Sequence, residues 1–383
     1  MGPLAGIRII EMAGIGPAPF AAMMLSDMGA EVVRVDRREA ADLGIPGRAP
    51  KFEVLHRGRS SIAVDVKADG GRKVIERLIT KADAIIEGFR PGVMERLGLG
   101  PDTLLKINPK LVFGRMTGFG QDGPLANQAG HDINYIALAG VLHAIGRKGE
   151  APVPPLNLVG DFGGGGMLLA FGVVCALLEA QRSGRGQVVD AAMVDGSAAL
   201  MGLIYGLYSQ GTWKDERGVN ILDTGSPWYG TYATKDGKWL AVGAIEKRFY
   251  EEFVQRLGLE LSELPRQHDR AGWPDLRRRF AEVIASKTRS EWEKIFEGSD
   301  ACVAPVLSLA EVESYPHNKA RKTFLNVDGV LQPAPAPRFS RTVPQAGQPA
   351  RQAGSDTERV LADWGFAADE IKALKSDGVV GMG

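Results

Sequence analysis

The first 35 residues carry a strand–helix–strand pattern. Ile7-Arg8-Ile9-Ile10-Glu11 reads as a strand, and Gly14-Ile15-Gly16-Pro17 turns the chain. Residues 19–28 read as a helix closed by Gly29, and Glu31-Val32-Val33-Arg34-Val35 is the next strand. Two strands joined through a helix lie parallel, with a right-handed crossover. The alternation continues through strands at 61–66, 84–87, 111–113 and 187–190. Between them lie a helix from an Asp69 N-cap to Lys81 and a short helix at 101–107 with proline in its first turn. The expected fold class is α/β, with a Rossmann-like parallel-sheet large domain over 1–205. Residues 39–53 show no period and read as a surface loop.

Gly14 and Gly16 after a strand, with Asp36 ending the next strand, imitate a dinucleotide fingerprint. The third glycine position holds Pro19, so a tight strand-to-helix turn explains the segment better. Arg37 and Arg38 follow the second strand, on the edge where open α/β sheets bind ligands. Lys67, Arg90 and Arg96 follow later strands. A single basic residue there reads as solvated, whereas their recurrence points to a phosphate-bearing ligand.

Beyond Trp213 the pattern changes. Apolar runs at 229–234 and 239–242 flank Asp236-Gly237, a hairpin signal. Helices are expected at 248–257, 275–287 and 290–297. This gives a linker plus a smaller α+β domain over 206–332. A Pro-rich linker at 333–349 and a helical pair at 357–375 then return to the large domain.

Forty-six basic and 46 acidic side chains cancel, which argues against nucleic-acid binding by bulk charge. Cys175 and Cys302 have no metal-ligand spacing. No secretory signal begins the sequence, the apolar run 167–178 is short for a membrane span, and the last residues are not a peroxisomal address. A cytoplasmic location is the default expectation.

The chemistry centres on Ala129-Gly130-His131-Asp132-Ile133-Asn134-Tyr135, before an apolar helix, and on Gly160-Asp161-Phe162, before Gly163 to Gly166 and a long apolar helix at 167–179. One base from each segment would flank a single carbon, removing a proton from one face and returning one to the other. Each residue also has a plainer reading: Asp161 as an N-cap and His131 as a packed helix start.

Several segments together are specific. They are Arg57-Gly58-Arg59-Ser60-Ser61-Ile62-Ala63-Val64-Asp65-Val66-Lys67, Glu87-Gly88-Phe89-Arg90-Pro91-Gly92, residues 116–124 and residues 130–135. Through them the chain resembles the family III CoA-transferases, and within these the α-methylacyl-CoA racemases. The resemblance spans nearly the whole chain. It implies an interlocked homodimer, with each active site between the large domain of one copy and the small domain of the other. It assigns Arg37, Lys67, Arg90 and Arg96 to the CoA phosphates and adenosine, with Val64, Asp65, Val66, Gly88 and Phe89 beside them. Gly130, Asp132, Ile133, Asn134 and Tyr135 are expected as further substrate contacts. His131 matches the racemase histidine, Asp161 the aspartate shared across the family, and Glu246 a small-domain glutamate that pairs with the histidine.

The implied reaction is racemisation of 2-methyl-branched acyl-CoA thioesters by 1,1-proton transfer through an enolate. His131 and Asp161 are the two bases. Backbone N–H groups near Gly163 to Gly166 would meet the enolate oxygen or support the Asp161 loop. No metal is called for, and CoA enters as part of the substrate rather than as a cofactor. Met167, Met193 and Met201 are candidates for an adaptable acyl surface, or simply core. The competing readings are a CoA-transferase with Asp161 as nucleophile and a non-catalytic acyl-CoA-binding protein.

Overall fold

The computed structural model describes residues 2–38 and 49–382. The loop expected over 39–53 lies largely outside these, and its end forms two short 3-10 turns, Pro50–Phe52 and Val54–His56. The chain divides into two compact units. The first is Met1–Ala139, Leu156–Leu200 and Lys319–Gly383, and the second is Gly140–Pro155 and Met201–Asn318. Compared with the expected boundaries, residues 140–155 join the second unit and the return begins at Lys319 rather than at 333.

Six parallel strands build the first unit: β1 (Arg8–Met12), β2 (Glu31–Asp36), β3 (Ser60–Val64), β4 (Ala84–Glu87), β5 (Val112–Thr117) and β6 (Val188–Ala192). They run in the order β3-β2-β1-β4-β5-β6. Side chains alternate between faces, as the pleat requires. Ile10, Val33, Val35 and Ile85 enter one core, while Ile9, Val32, Ala84 and Ile86 enter the other.

Helices cover both faces. They are α1 (Pro17–Asp27), α2 (Asp69–Ile79), α3 (Val93–Arg96), α4 (Pro101–Ile107), α5 (Asp132–Leu138), α7 (Leu168–Ser183) and α8 (Met193–Leu200); α6 (Val141–Ala144), between α5 and α7 in sequence, belongs to the second unit. Val74, Ile75, Leu78 and Ile79 of α2 make a buried stripe at helical spacing. Ala68, not Asp69, takes the cap position of α2; Asp69 is the first helical residue, where its charge suits the helix dipole.

A π-helical segment, Leu158–Met167, runs without a break into α7. The result is a 26-residue apolar helix, long enough to cross a membrane by length and composition. The shorter run read from sequence missed its glycine-rich first part. Its face of Leu169, Ala170, Val173, Ala176 and Ala180 is buried in the core that also holds Val112 and Ile86. Gly114 in β5 has no side chain because a Cβ there would lie 3.1 Å from Leu169 and Val173. This is the packing of a core helix.

Among the described residues, two ion pairs are fully enclosed in this unit. Arg59 Nε lies 2.9 Å from Glu11 Oε2, with side chains 1% and 0% exposed. Arg57 pairs with Asp27 and donates to Gln332 Oε1 and the Pro333 carbonyl. Nearby, the His56 imidazole is held down to about 3, by burial first and then by the Arg34 and Arg59 charges. The unfolded imidazole takes its proton near 6.5. Unfolding therefore binds a proton as pH falls below that value, and the fold loses stability from there toward about 3. His56→Gln is expected to flatten the acid side of the melting-temperature profile; a profile unchanged from the parent's would contradict this.

In the second unit α9 (Gly202–Ser209) precedes a three-stranded antiparallel sheet, β7 (Tyr229–Ala233), β8 (Trp239–Gly243) and β9 (Val303–Pro305). Asp236-Gly237 makes the expected hairpin turn, with Gly237 at φ 72°. The third strand, β9, was not read from sequence. Helices α10 (Lys247–Arg256), α11 (Trp273–Ile284) and α12 (Arg289–Phe296) pack on it around Trp228, which is fully buried.

After α13 (Pro316–Arg321) come the strands β10 (Phe324–Val327) and β11 (Val330–Pro333). They pair as a hairpin just before the Pro-rich linker expected at 333–349, in the stretch assigned from sequence to the smaller α+β domain. The expected helical pair follows as α14 (Thr357–Asp363) and α15 (Ala368–Ser376). The two-residue strand β12 (Val380–Gly381) then pairs antiparallel with β3 as the sheet's seventh strand.

Candidate active site

The strand order reverses between β1 and β4, and ligands of open α/β sheets bind outside the carboxyl ends of the strands at such a point. A cavity of about 580 Å³ lies there. Gly16 and Pro17 after β1, Gly88, Phe89 and Arg90 after β4, and Gly118 and Phe119 after β5 form its walls. Gly130, His131, Tyr135, Asp161, Met116 and Met193 complete it. His131 and Asp161, 30 residues apart in sequence, therefore face one space.

His131 sits just outside α5, with extended backbone (φ −132°), and its N–H donates to Asn134 Oδ1 at 3.0 Å. The helix thus begins earlier than expected, at Asp132. Tyr135 anchors this loop. Its hydroxyl donates to the Gly130 carbonyl, and its ring meets Phe119 edge-on at 4.9 Å. A Cβ on Gly118 would lie 2.1 Å from the ring, so only glycine fits there. Burial raises the Tyr135 hydroxyl to about 12, with Asp161 and Asp132 adding to it and Arg90 opposing, so it stays protonated.

Asp161 lies within the π-helical segment, not at a helix cap. π-helical turns within α-helices recur at functional sites. Asp161 Oδ2 accepts from Asn157 Nδ2 at 3.0 Å. Gly16, at φ 69°, brings its backbone beside this carboxyl; a Cβ there would lie 3.5 Å from Oδ2. Burial raises the affinity of Asp161 for its proton; the Asn157 hydrogen bond opposes this, Asp132's charge adds to it, and His131 opposes it.

Two roles were expected of the glycines after Asp161, meeting the enolate oxygen or supporting the Asp161 loop. Gly163 to Gly166 do not line the cavity; Gly164 abuts Ser197, and Gly166 abuts the Pro17 carbonyl and Phe20. On the facing helix, a Cβ on Gly196 would lie 1.8 Å from the Gly164 carbonyl. The run lets the Asp161 segment pack directly against α1 and α8, which supports the loop.

The expected CoA contacts separate into groups. Gly88, Phe89, Arg90, Gly130 and Tyr135 line the cavity. Arg37 follows β2, Asp65, Val66 and Lys67 follow β3, and Arg96 ends α3; Arg37, Lys67 and Arg96 are exposed, and all lie beyond the carboxyl ends of their strands. Val64 is a buried strand residue. Ile133 and Asn134 are exposed on α5, and Asn134 serves the His131 backbone. The Asp132 side chain is buried and accepts the Asp161 N–H. Glu246 is exposed at the start of α10 in the second unit. Of the methionines expected at an acyl surface, Met193 lines the cavity, Met167 is exposed outside it, and Met201 belongs to the second unit.

Asp36 of the apparent dinucleotide fingerprint is occupied by Arg34 Nε at 2.8 Å and Ser61 Oγ at 2.5 Å. Among the described residues no cluster of His, Cys, Asp or Glu is arranged for a metal ion.

Sequence reasoning missed Asn157, which precedes Asp161 by one helical turn, and Met116, the last but one residue of the buried strand β5. It also missed the support beneath Phe89 and Arg90. There Glu87 accepts from the Phe89 N–H at 2.6 Å and from Arg115 Nε at 2.8 Å, and Arg115 reaches Glu95 at 2.7 Å. Burial raises the Glu87 carboxyl, and the Phe89 and Arg115 hydrogen bonds counter it.

The model of CoA-transferase family III matches residues 4–357. The chain belongs to CoA-transferase family III. Among curated family members, the α-methylacyl-CoA racemase of Mus musculus is 50% identical over 381 residues, covering 98% of this chain and 97% of that protein. The enzyme of the same name from Homo sapiens is 45% identical over 380 residues, covering 98% and 97%. A CaiB/BaiF family protein from Brucella suis shares the family III fold, with a TM-score of 0.79 at 23% identity over 95% of this chain and 99% of that one.

Proposed function

We propose that this chain is an isomerase that interconverts the (R) and (S) forms of 2-methyl-branched acyl-CoA thioesters. The observation that carries the reading is the placement of His131 and Asp161 on one cavity at the sheet's switch point. The 50% identity to an α-methylacyl-CoA racemase over nearly the whole chain supports it.

In this reading the thioester carbonyl acidifies the α-hydrogen, and neutral His131 removes it from one face. The electron pair moves into the carbonyl to give an enolate. Protonated Asp161 then donates to the opposite face of the same carbon, leaving the inverted thioester, an imidazolium and a carboxylate. The other enantiomer runs the sequence backward. The raised proton affinity of Asp161 serves this, since one partner must hold a proton while the other does not.

Arg90 and Phe89 on the cavity wall, with Arg37, Lys67 and Arg96 along the same sheet edge, would hold the CoA phosphates and adenosine. A second copy, interlocked with the first, would bring its Glu246 to orient the imidazole. An exposed row of Phe171, Val174 and Leu178 on α7, at helical spacing, is consistent with burial by such a copy.

The test is incubation with (R)- or (S)-2-methylacyl-CoA in deuterated water, following deuterium uptake and configuration. Deuterium at the α-carbon with loss of configuration is the expected result. Absence of exchange with CoA appearing on an added carboxylate would replace this reading with CoA transfer through Asp161.

A further inference from the structure

Asp132 is 6% exposed, lies directly after His131 and does not line the cavity. Its Oδ1 accepts the Asp161 backbone N–H at 2.7 Å. Its Oδ2 is buried and has no hydrogen-bond partner among the described residues. Carboxylates rarely accept that position, because an unsatisfied buried oxygen costs stability. Gly160 is shaped to it: a Cβ there would lie 2.5 Å from Asp132 Oδ1. The chain therefore spends a glycine and an unsatisfied oxygen to keep a carboxylate behind Asp161.

We propose that Asp132 is a positioning residue that fixes the Asp161 turn through its backbone N–H and sets a negative charge behind the Asp161 carboxyl. The inference rests on the racemase reading of the same cavity. A neutral acceptor, such as an asparagine amide, would hold the same N–H without an ionised group in the core. What the carboxylate adds is charge. The titratable groups around Asp161 are Asp132, His131 and Tyr135 from the α5 segment, and Arg90 from the loop after β4. The cavity faces of α1 and α8 bring Pro17, Ala18 and Met193, which do not titrate. Asp132 thus opposes the ionisation of Asp161, while Asn157 and His131 favour it.

The working enzyme carries one proton on the His131–Asp161 pair, so the two limbs of its pH profile belong to the pair. Loss of the Asp132 charge makes the pair hold protons less tightly, and both limbs move to lower pH.

The experiment compares the full-length chain with Asp132→Asn and Asp132→Ala. In Asp132→Asn the amide oxygen still accepts the Asp161 N–H. Its kcat is expected to fall on the order of 10-fold with KM little changed, less than the roughly 10²- to 10⁴-fold contribution of a general acid itself, because Asp132 acts only through Asp161. Both limbs of its kcat/KM profile should shift to lower pH. Asp132→Ala should fall further, with Asp132→Asn as its partial rescue. Carbon NMR of the labelled Asp161 carboxyl, in parent and Asp132→Asn, reads the same charge effect without turnover. A titration midpoint that does not move down, or an unshifted profile in an active Asp132→Asn chain, overturns the proposal. A midpoint that moves in a chain whose parent shows no α-hydrogen exchange overturns the racemase reading while leaving Asp132's hold on Asp161 intact.

Discussion

Asp161→Asn is expected to reduce racemisation by roughly 10² to 10⁴ while leaving α-hydrogen exchange alive for one enantiomer. The asymmetry follows from the proposed two-base reading, in which His131 and Asp161 serve opposite faces of the α-carbon. Without Asp161 the His131 imidazole still removes the proton on its own side, exchanges it with solvent and returns it to the same face. Deuterium then enters with retained configuration. His131→Ala is expected to give the mirror result, with exchange retained only for the enantiomer whose hydrogen faces Asp161. A one-base mechanism would instead lose exchange of both enantiomers in one variant and keep both in the other. Proton NMR of the recovered thioester, with chiral analysis after hydrolysis, separates these outcomes. Because Asp161 is largely held by its backbone and by Asn157, the asparagine variant should fold as the parent does.

Arg59→Ala is expected to cost about 3–5 kcal/mol of stability, the usual penalty for stranding one member of a buried ion pair. Glu11, fully enclosed in β1, would then keep its carboxylate with no guanidinium beside it. Arg59 also donates to the Arg57 and Pro19 carbonyls, so three segments lose a shared donor. The double variant Glu11→Gln with Arg59→Met removes both charges and is expected to recover much of the loss. Chemical denaturation of the single and double variants measures this; an Arg59→Ala chain as stable as the double variant would show that the charge, once stranded, is harmless. Since β1 and α1 carry the Gly16 wall of the cavity, the single variant should lose activity before it unfolds.

The parallel sheet was legible because its signals are local. Apolar strands, Gly16 at the turn and Gly29 at the helix end mark a βαβ unit in a few dozen residues. The hairpin at Asp236-Gly237 was legible for the same reason. Asp328-Gly329 carries the same turn signal between β10 and β11, with φ of 52° and 80°, and was passed over because the strands beside it are only four residues long. β12 has two residues, too few to show any period. The π-helical segment was illegible in principle. Glycine disfavours helix by propensity, and only the close approach of Pro17 and Ser197 turns four glycines into a helical seam. His131 and Asp161 could be named as a pair from sequence, but not the carboxylate behind them. Asp132 reads from sequence as a substrate contact, and the close approach of Gly160 that packs against its carboxyl comes from a residue distant in sequence.

The closing of the sheet by β12 has a consequence for how the chain reaches this structure. Strand β3 is paired on its outer edge by Val380 and Gly381, and Thr357 donates to the Gly381 carbonyl and accepts from the Ala63 N–H. On the ribosome these groups emerge only after the whole second unit. The sheet that holds the cavity thus waits with an open edge while residues 201–318 can already fold. Growing chains, rather than finished ones, are where this molecule is exposed to misassembly.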